Sequence, residues 1–420
     1  MMPTPSSPHV TPSAGLRKGF SSGTHRLVAP EETLARFQPL MPLLGITRIA
    51  DVTGLDHIGV PVVMVTRPNA RSLSVAQGKG LSLAAAKASG LMEAIESYHA
   101  EHITLPLRLA SYKELCFSHR MIDVAGLPRM AHREFHGDSR ALWIEGTDLF
   151  DGKPRLVPYS LVHTDFTLPL PSDSGAFVMS SSGLSSGNHL LEAVCHGVAE
   201  LIERDAVTLW RARGPTSASA TRIDFDSIDD PACRELLARF DAAKVSVEIW
   251  DITSDVGVAA FHAVILGREK DLLRRIGPMG GMGCHPSRSV ALLRALTEAA
   301  QSRLTFLSGA RDDLVHPRLA EEAYLRAYAR FHERREAHGA RRRFEDVPTQ
   351  ENERFEDDLG FMLAGLHRVG CEQVVVVNLS KPELGVPVVR VVIPGLEVLS
   401  DLPGYVPGKR ALSAREEAVS

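Results

Sequence analysis

The sequence predicts a mixed fold of helices and strands, α+β (mixed α/β). Two observations predict it. Short segments rich in β-branched residues and bounded by Gly, Pro, Asn or Asp are typical of strands. Longer Ala-rich segments with helical periodicity lie between them. With 420 residues, of which 44% are hydrophobic, the chain can bury a large core.

The chain opens with a Pro- and Ser-rich stretch, and residues 1–25 are therefore expected to form a flexible arm. A compact region is expected from near Leu34, where apolar residues take on a helical rhythm. No apolar run reaches the roughly 18 residues of a membrane span, and the first residues lack the apolar core of a signal peptide. These absences favour a cytoplasmic protein that contacts no membrane.

Strands are predicted where β-branched residues are densest. The short Ser-Asp turn between the second and third of these segments favours their antiparallel pairing. Residues 323–358 are densely charged with both signs, which is typical of solvent-exposed helices and a surface loop. The predicted strands are residues 60–66, 245–252, 258–266, 373–379 and 386–393.

Three predicted helices, residues 84–101, 189–210 and 290–306, carry polar side chains along one face. Solvent-facing stripes on amphipathic helices are the simplest interpretation. The first of these helices is otherwise mostly apolar, however, and buried carboxylates need cations, for which Mg²⁺ is well suited. The stripes are Ser89, Glu93 and Glu96; Glu192, His196, Glu200 and Glu203; and Arg294, Glu298 and Gln301.

A Gly- or Ser-rich segment precedes each of the three helices: SVAQGKG (74–80), SSSGLSSGNH (180–189) and GPMGGMGCHPS (277–287). Small residues before a helix leave backbone N–H groups free to approach phosphate, although each segment could equally be a simple turn. None is a Walker A loop, because GxxxxGK[ST] is absent.

Composition excludes some classes of protein. A net charge of −4 gives no electrostatic reason to expect a nucleic-acid ligand. The five cysteines are widely spaced, with no CxxC pair, and are expected to be free thiols.

In order and spacing, the long motifs of this chain resemble those of the YcaO family. They are QGKG, SxxxExxE, SSGLSSGN followed by ExxxxxxxExxERDA, and GxGxHP followed by ALTEAAQSR. The resemblance spans about residues 61–313 and includes VPVVRVVIPGLE near the C-terminus, within predicted strands at 372–397. It implies a YcaO-type ATP-binding fold with acidic helices packed on β-sheets and no P-loop. The catalytic domain would span residues 26–400, followed by a tail at 401–420.

The resemblance also implies an enzyme that binds ATP and Mg²⁺ and phosphorylates a peptide-backbone amide. Arg204 and His285 are the implied catalytic residues, and either His196 or His285 could instead serve a structural role. The implied metal ligands are Glu93, Glu96, Glu200, Glu203 and Glu298. The implied nucleotide contacts are Lys79, Ser89, Glu93, Glu192, Arg204 and Gln301.

The segments ITRIADVTGLDHIGVPVVMV and RPNARSLSVAQGKG are most similar to YcaO members that act with a TfuA-type partner protein. That subgroup implies thioamide formation on a ribosomally made peptide, with sulfide or a sulfur-carrier protein as donor. The chain ends without the Pro-rich PxPxP tail that is common among cyclising members. Azoline-forming cyclodehydration remains the alternative, and a non-catalytic nucleotide-binding or peptide-recruiting protein is an alternative of another class. A homodimer is possible.

Overall fold

The computed structural model describes residues 15–171, 173–270, 275–310, 321–336, 341–399 and 401–418. The described helices are α1 Pro30–Phe37, α2 Leu83–Glu101, α3 Tyr112–Leu115, α4 Leu190–Ala220, α5 Pro231–Ala242, α6 Arg288–Ser308, α7 Glu321–Glu336, α8 Phe355–Arg368 and α9 Lys409–Glu417. Gly214 interrupts α4 with non-helical backbone angles. No helix within these ranges combines the length and apolar character needed to cross a bilayer.

The described strands are β1 Arg48–Asp51, β2 Val62–Thr66, β3 Val75–Lys79, β4 Leu107–Ser111, β5 Arg129–Met130, β6 Arg140–Asp148, β7 Pro154–Pro158, β8 Leu184–Ser186, β9 Val245–Asp251, β10 Ala260–Gly267, β11 Met279–Cys284, β12 Val375–Asn378, β13 Val388–Val392 and β14 Tyr405–Val406. They form two three-stranded sheets, β1-β2-β3 and β11-β10-β9. The six-stranded sheet has the order β4-β6-β12-β13-β8, with β7 beside β6, and β14 pairs with β5. The mixed helix and strand fold is therefore confirmed.

Each acidic helix lies on a sheet. Helix α2 packs on β2 and β3, α4 packs on β8 and β13, and α6 packs on β10 and β11. The strand just before each helix in the chain, β3, β8 or β11, belongs to the sheet that the helix covers. Burial of apolar faces holds these layers together. For example, Val63 of β2 and Leu91 and Ile95 of α2 are fully buried in one cluster.

The predicted strands and acidic helices are all present, and β9 pairs with β10 in antiparallel register, as predicted. The Gly- and Ser-rich segments differ from the prediction, because they contain strands β3, β8 and β11 and not only turns. Their glycines let strand and helix approach closely. A Cβ at Gly78 would lie 2.0 Å from the Ala86 carbonyl oxygen, and one at Gly281 would lie 2.2 Å from the Ala295 carbonyl oxygen.

Residues 15–25, within the range predicted to be an arm, pack against the chain around α8. The Leu16 N–H donates to the Glu356 carboxylate at 2.8 Å, and Lys18 Nζ lies 2.7 Å from Asp358 Oδ2. Residues 1–14 of that range lie outside the described residues. The three domain boundaries remain predictions.

The C-terminal helix α9 packs along α4. Arg410 Nη2 contacts the buried Asp205 carboxylate at 2.8 Å and Asp255 at 2.6 Å. The Glu397 carboxylate accepts the N–H groups of Gly408 and Ala411, which stabilises the first turn of α9. All five cysteines are free, as predicted.

Candidate active site

A cavity of about 540 Å³ lies where α2, α4 and α6 converge. Part of its wall is formed by Ser22, Gly23, Thr24, Arg26 and Val28. Every predicted metal ligand and nucleotide contact lines it, whereas the predicted catalytic residue His285 does not. The predicted residues along its wall are Lys79, Ser89, Glu93, Glu96, Glu192, Glu200, Glu203, Arg204, Glu298 and Gln301.

Helix α2 contributes the Glu96 carboxylate to the cavity wall. The Ser186 hydroxyl of β8 donates to Glu96 Oε1 at 2.7 Å. Burial raises the pKa of Glu96 to about 8, and the nearby carboxylates of Glu93 and Glu200 act in the same direction. Without a cation, this side of the cavity therefore favours a protonated carboxyl group.

Helix α4 supplies Glu192 and Glu200, and both accept backbone hydrogen bonds. Glu192 is 2% exposed, accepts the Leu27 N–H at 3.1 Å and lies 3.7 Å from Arg26 Nε. Glu200 accepts the Gly183 N–H at 3.2 Å and Arg204 Nη2 at 3.1 Å. These contacts fix the direction in which each carboxylate points.

Glu203 lies one turn further along α4, where it is 2% exposed. Its Oε1 lies 3.4 Å from Arg204 Nη1, and its Oε2 is buried without a hydrogen-bond partner in the structure. Burial raises the pKa of Glu203 despite the adjacent Arg204 charge. An orphaned, buried carboxylate oxygen beside other carboxylates suits a divalent cation.

From α6, Glu298 faces the same space. Its Oε2 accepts Lys79 Nζ at 2.5 Å and its Oε1 accepts the Met282 N–H at 3.2 Å. Burial would raise the pKa of this carboxyl group, but the charges of Lys79 and Arg204 outweigh it and hold the pKa below its ordinary value.

The two predicted histidines lie in different surroundings. His196 lines the cavity, and its Nε2 accepts Arg294 Nη2 at 3.2 Å, so the ring is neutral. Burial, followed by the Arg294 charge, lowers the pKa of His196 well below its ordinary value. His285 lies outside the cavity wall, accepts the Ser287 N–H at 2.9 Å and packs edge-on against His25. The structure thus places His285 near the start of α6 and away from the other predicted site residues, and its catalytic role stays a prediction.

Sequence reasoning missed two cavity cations as site residues. Arg294 lay on the predicted stripe of α6 but was not assigned a ligand role, and Arg26 lies beside the range predicted to be an arm. Arg26 approaches Glu192 because of the path that residues 15–28 take across the fold. No local sequence pattern predicts that path.

The cavity thus offers carboxylate oxygens that can bind a cation and cationic side chains that can bind an anion. Carboxylates from three helices match the oxygen ligands that Mg²⁺ prefers. Lys79, Arg204, Arg294 and Arg26 place positive charge beside them, as binding of phosphate groups requires. The residues therefore fit a magnesium–nucleotide complex.

Comparisons with known proteins identify relatives of this chain. The model of a family described as YcaO cyclodehydratase, ATP- and Mg²⁺-binding, matches residues 77–397. An uncharacterized protein in the tfuA 3′ region of Rhizobium leguminosarum bv. trifolii is 38% identical over 411 residues, which cover 96% of each chain.

Two solved structures show a similar fold. YcaO from Methanopyrus kandleri, bound with AMPPCP and Mg²⁺, has a TM-score of 0.74 at 22% identity, covering 94% of this chain and 99% of that one. A heterocyclase in complex with substrate and cofactor also has a TM-score of 0.74, at 23% identity, covering 92% of this chain. The present chain spans 54% of that heterocyclase.

Proposed function

The chain belongs to the YcaO family, and from this premise we propose that it uses ATP and Mg²⁺ to phosphorylate the oxygen of a peptide-backbone amide. The observation that carries this proposal is the convergence of carboxylates from α2, α4 and α6 on one cavity. Carboxylates that share one cavity repel one another unless cations lie between them. An amide oxygen is a poor leaving group, and phosphorylation makes its loss feasible.

The proposed ligands fall into two sets. Bound Mg²⁺ would supply positive charge that neutralises the phosphates during transfer. The residues proposed to hold the nucleotide are Lys79, Ser89, Glu93, Glu192, Arg204 and Gln301. The residues proposed to hold Mg²⁺ are Glu93, Glu96, Glu200, Glu203 and Glu298.

The chain's own cations align the reacting groups. Arg204 contacts both Glu200 and Glu203, so its guanidinium is held at the centre of the acidic wall. From there it can stabilise negative charge on the phosphoryl group as transfer proceeds. Lys79, held by Glu298, supplies a second donor at the cavity wall. Alignment of the amide oxygen with the terminal phosphate supplies the remaining catalysis.

The proposed product is a backbone thioamide, formed when sulfide or a sulfur-carrier protein attacks the activated amide. The relative in a tfuA 3′ region supports this choice and supports a TfuA-type partner. The position of α9 is consistent with it, because none of the described residues 401–418 lines the cavity. Azoline formation is the second candidate, favoured by the description of the matching family as cyclodehydratases.

The mouth of the cavity supports a peptide as substrate. Leu73 and Phe166 line the cavity and are 44% and 41% exposed, and Leu168, two residues after Phe166 in the chain, is 84% exposed. Exposed apolar side chains at the rim of a polar cavity suit the side chains that flank a peptide amide.

Mass spectrometry and phosphate release test the function together. The purified protein is incubated with peptide, ATP, Mg²⁺, sulfide and a TfuA-type protein. We expect peptide-dependent phosphate release and a product in which sulfur has replaced one oxygen. Loss of one water without sulfur gain would identify a cyclodehydratase, and nucleotide binding without peptide-dependent hydrolysis would identify a non-catalytic protein.

A further inference from the structure

Arg390 of β13 is a buried arginine that forms no ion pair with any carboxylate among the described residues. It is 2% exposed, and its one hydrogen bond runs from Nη2 to the Ser180 carbonyl oxygen at 2.6 Å. Its Nε and Nη1 atoms are buried with no partner in the structure. Two other buried arginines, Arg67 and Arg303, each contact a buried or half-buried carboxylate at 2.6 Å.

Stability of the fold does not explain such a residue. A buried cation without a paired carboxylate loses hydration free energy that one neutral hydrogen bond does not restore. Burial accordingly lowers the pKa of Arg390 to about 10, and Glu200 supplies the opposing negative charge. An apolar side chain of similar length would serve the core at least as well.

The contacts of Arg390 lead to the cavity through one loop, residues 180–183. Arg390 holds the start of this loop through Ser180, and the Val391 N–H holds its end through the Gly183 carbonyl oxygen at 2.8 Å. Gly183 adopts a φ of +82°, and a Cβ there would lie 2.4 Å from the Val391 carbonyl oxygen. The loop is thus fitted closely to β13.

A backbone N–H group of this loop contacts a carboxylate of the cavity. Gly183 donates it to Glu200 Oε2 at 3.2 Å, while Arg204 holds Oε1 at 3.1 Å. Any shift of the loop would therefore rotate the Glu200 carboxylate. Ser181 of the same loop lines the cavity itself.

We propose that Arg390 is a positioning residue for Mg²⁺ binding: it anchors the 180–183 loop so that the Gly183 N–H orients the Glu200 carboxylate. This inference rests on the proposed function, because Glu200 is a proposed Mg²⁺ ligand. Arg390 acts through the loop and through its charge opposite Glu200. Residues that orient metal ligands in this way typically change metal affinity by about 10- to 100-fold when removed.

The test compares three variants by thermal unfolding, with Mg²⁺ titrated at a fixed ATP concentration. R390M is expected to keep or raise the midpoint without ligand and to need about 10-fold more Mg²⁺ for half of the ligand-induced shift. R390K, which retains a cation and a donor, is expected to recover part of that loss. The matched control is R155M, which leaves the buried Asp148 carboxylate without its arginine at 2.7 Å. It should lower the midpoint without changing the Mg²⁺ requirement.

A wild-type Mg²⁺ requirement in R390M overturns the proposal, and so does an R390M protein that fails to fold, because Arg390 would then be structural. A wild-type protein whose midpoint does not respond to ATP and Mg²⁺ would instead refute the proposed function, and this inference with it.

Discussion

The glutamates of the cavity differ in what holds each carboxylate. Glu192, Glu200 and Glu298 all accept backbone N–H groups. Glu203 instead keeps one buried oxygen without a donor. A buried acceptor left unpaired costs free energy, so Glu203 is best explained as a ligand whose partner is a bound cation.

Replacement of Glu203 by Gln tests that explanation. The amide keeps the shape of the side chain but removes the anionic ligand, and we expect amide modification to fall by about 100-fold or more. The unfolding midpoint should stay the same or rise, because a buried charge is removed. Activity assays and thermal unfolding check this, with E372Q at an exposed position as control. Full activity in E203Q would contradict the assignment.

The raised pKa of Glu96 predicts a pH dependence for the metal-free protein. In the unfolded chain this carboxyl group loses its proton near the ordinary value of 4.5, whereas in the folded protein it keeps the proton to about pH 8. The folded state therefore binds more protons across this window, and the free energy of unfolding falls as pH rises through it.

Thermal unfolding in EDTA should show a midpoint that declines from about pH 5 to about pH 8, and E96Q should flatten that decline. E372Q provides the exposed control. A slope in E96Q equal to that of the wild type would show that other groups carry the dependence.

At the scale of elements, periodicity predicted the acidic helices and β-branched density predicted β2, β9, β10, β12 and β13. Strands β3, β8 and β11 were missed because their glycines and serines are typical of turns. Their strand state depends on a helix lying against them, as the close approach of Gly281 to α6 shows. This contact is tertiary, so sequence pattern alone could not reveal it.

Gly281→Ala tests the close packing of β11 on α6. The added Cβ would lie 2.2 Å from both the Ala295 carbonyl oxygen and the Ala299 nitrogen, so backbone must move. We expect a loss of about 1–3 kcal/mol in the free energy of unfolding, measured by denaturant titration. Gly360→Ala in α8 is the control, because a Cβ there meets nothing within 4 Å. Equal stability of the two variants would refute the packing argument.

At the scale of the whole molecule, the sequence stripes predicted which side chains meet, because residues on one helix face share a direction. The part of the cavity wall that includes Thr24, Arg26 and Val28 could not be predicted this way. Its position follows from contacts far apart in the chain, such as Lys18 with Asp358. The apolar cavity mouth was missed for the same reason.

Phe166→Ala tests the mouth as the route of the peptide. Loss of an exposed ring at the rim should raise KM for the peptide several-fold, because about 1 kcal/mol of apolar contact is removed. The stabilisation by ATP and Mg²⁺ should not change. Leu412→Ala, at a 48% exposed position on α9, is the control. An unchanged KM in the Phe166 variant would place the peptide elsewhere.

The arrangement of three strand–helix units around one cavity has a consequence for cooperativity. No unit holds the proposed ligand set alone, since α2, α4 and α6 each contribute part of it. A bound Mg²⁺–nucleotide complex would therefore link each unit to the other two. Local openings of any one helix would then release the ligand. Amide hydrogen exchange in all three helices should therefore slow together on addition of ATP and Mg²⁺, because the bound nucleotide would contact each of them.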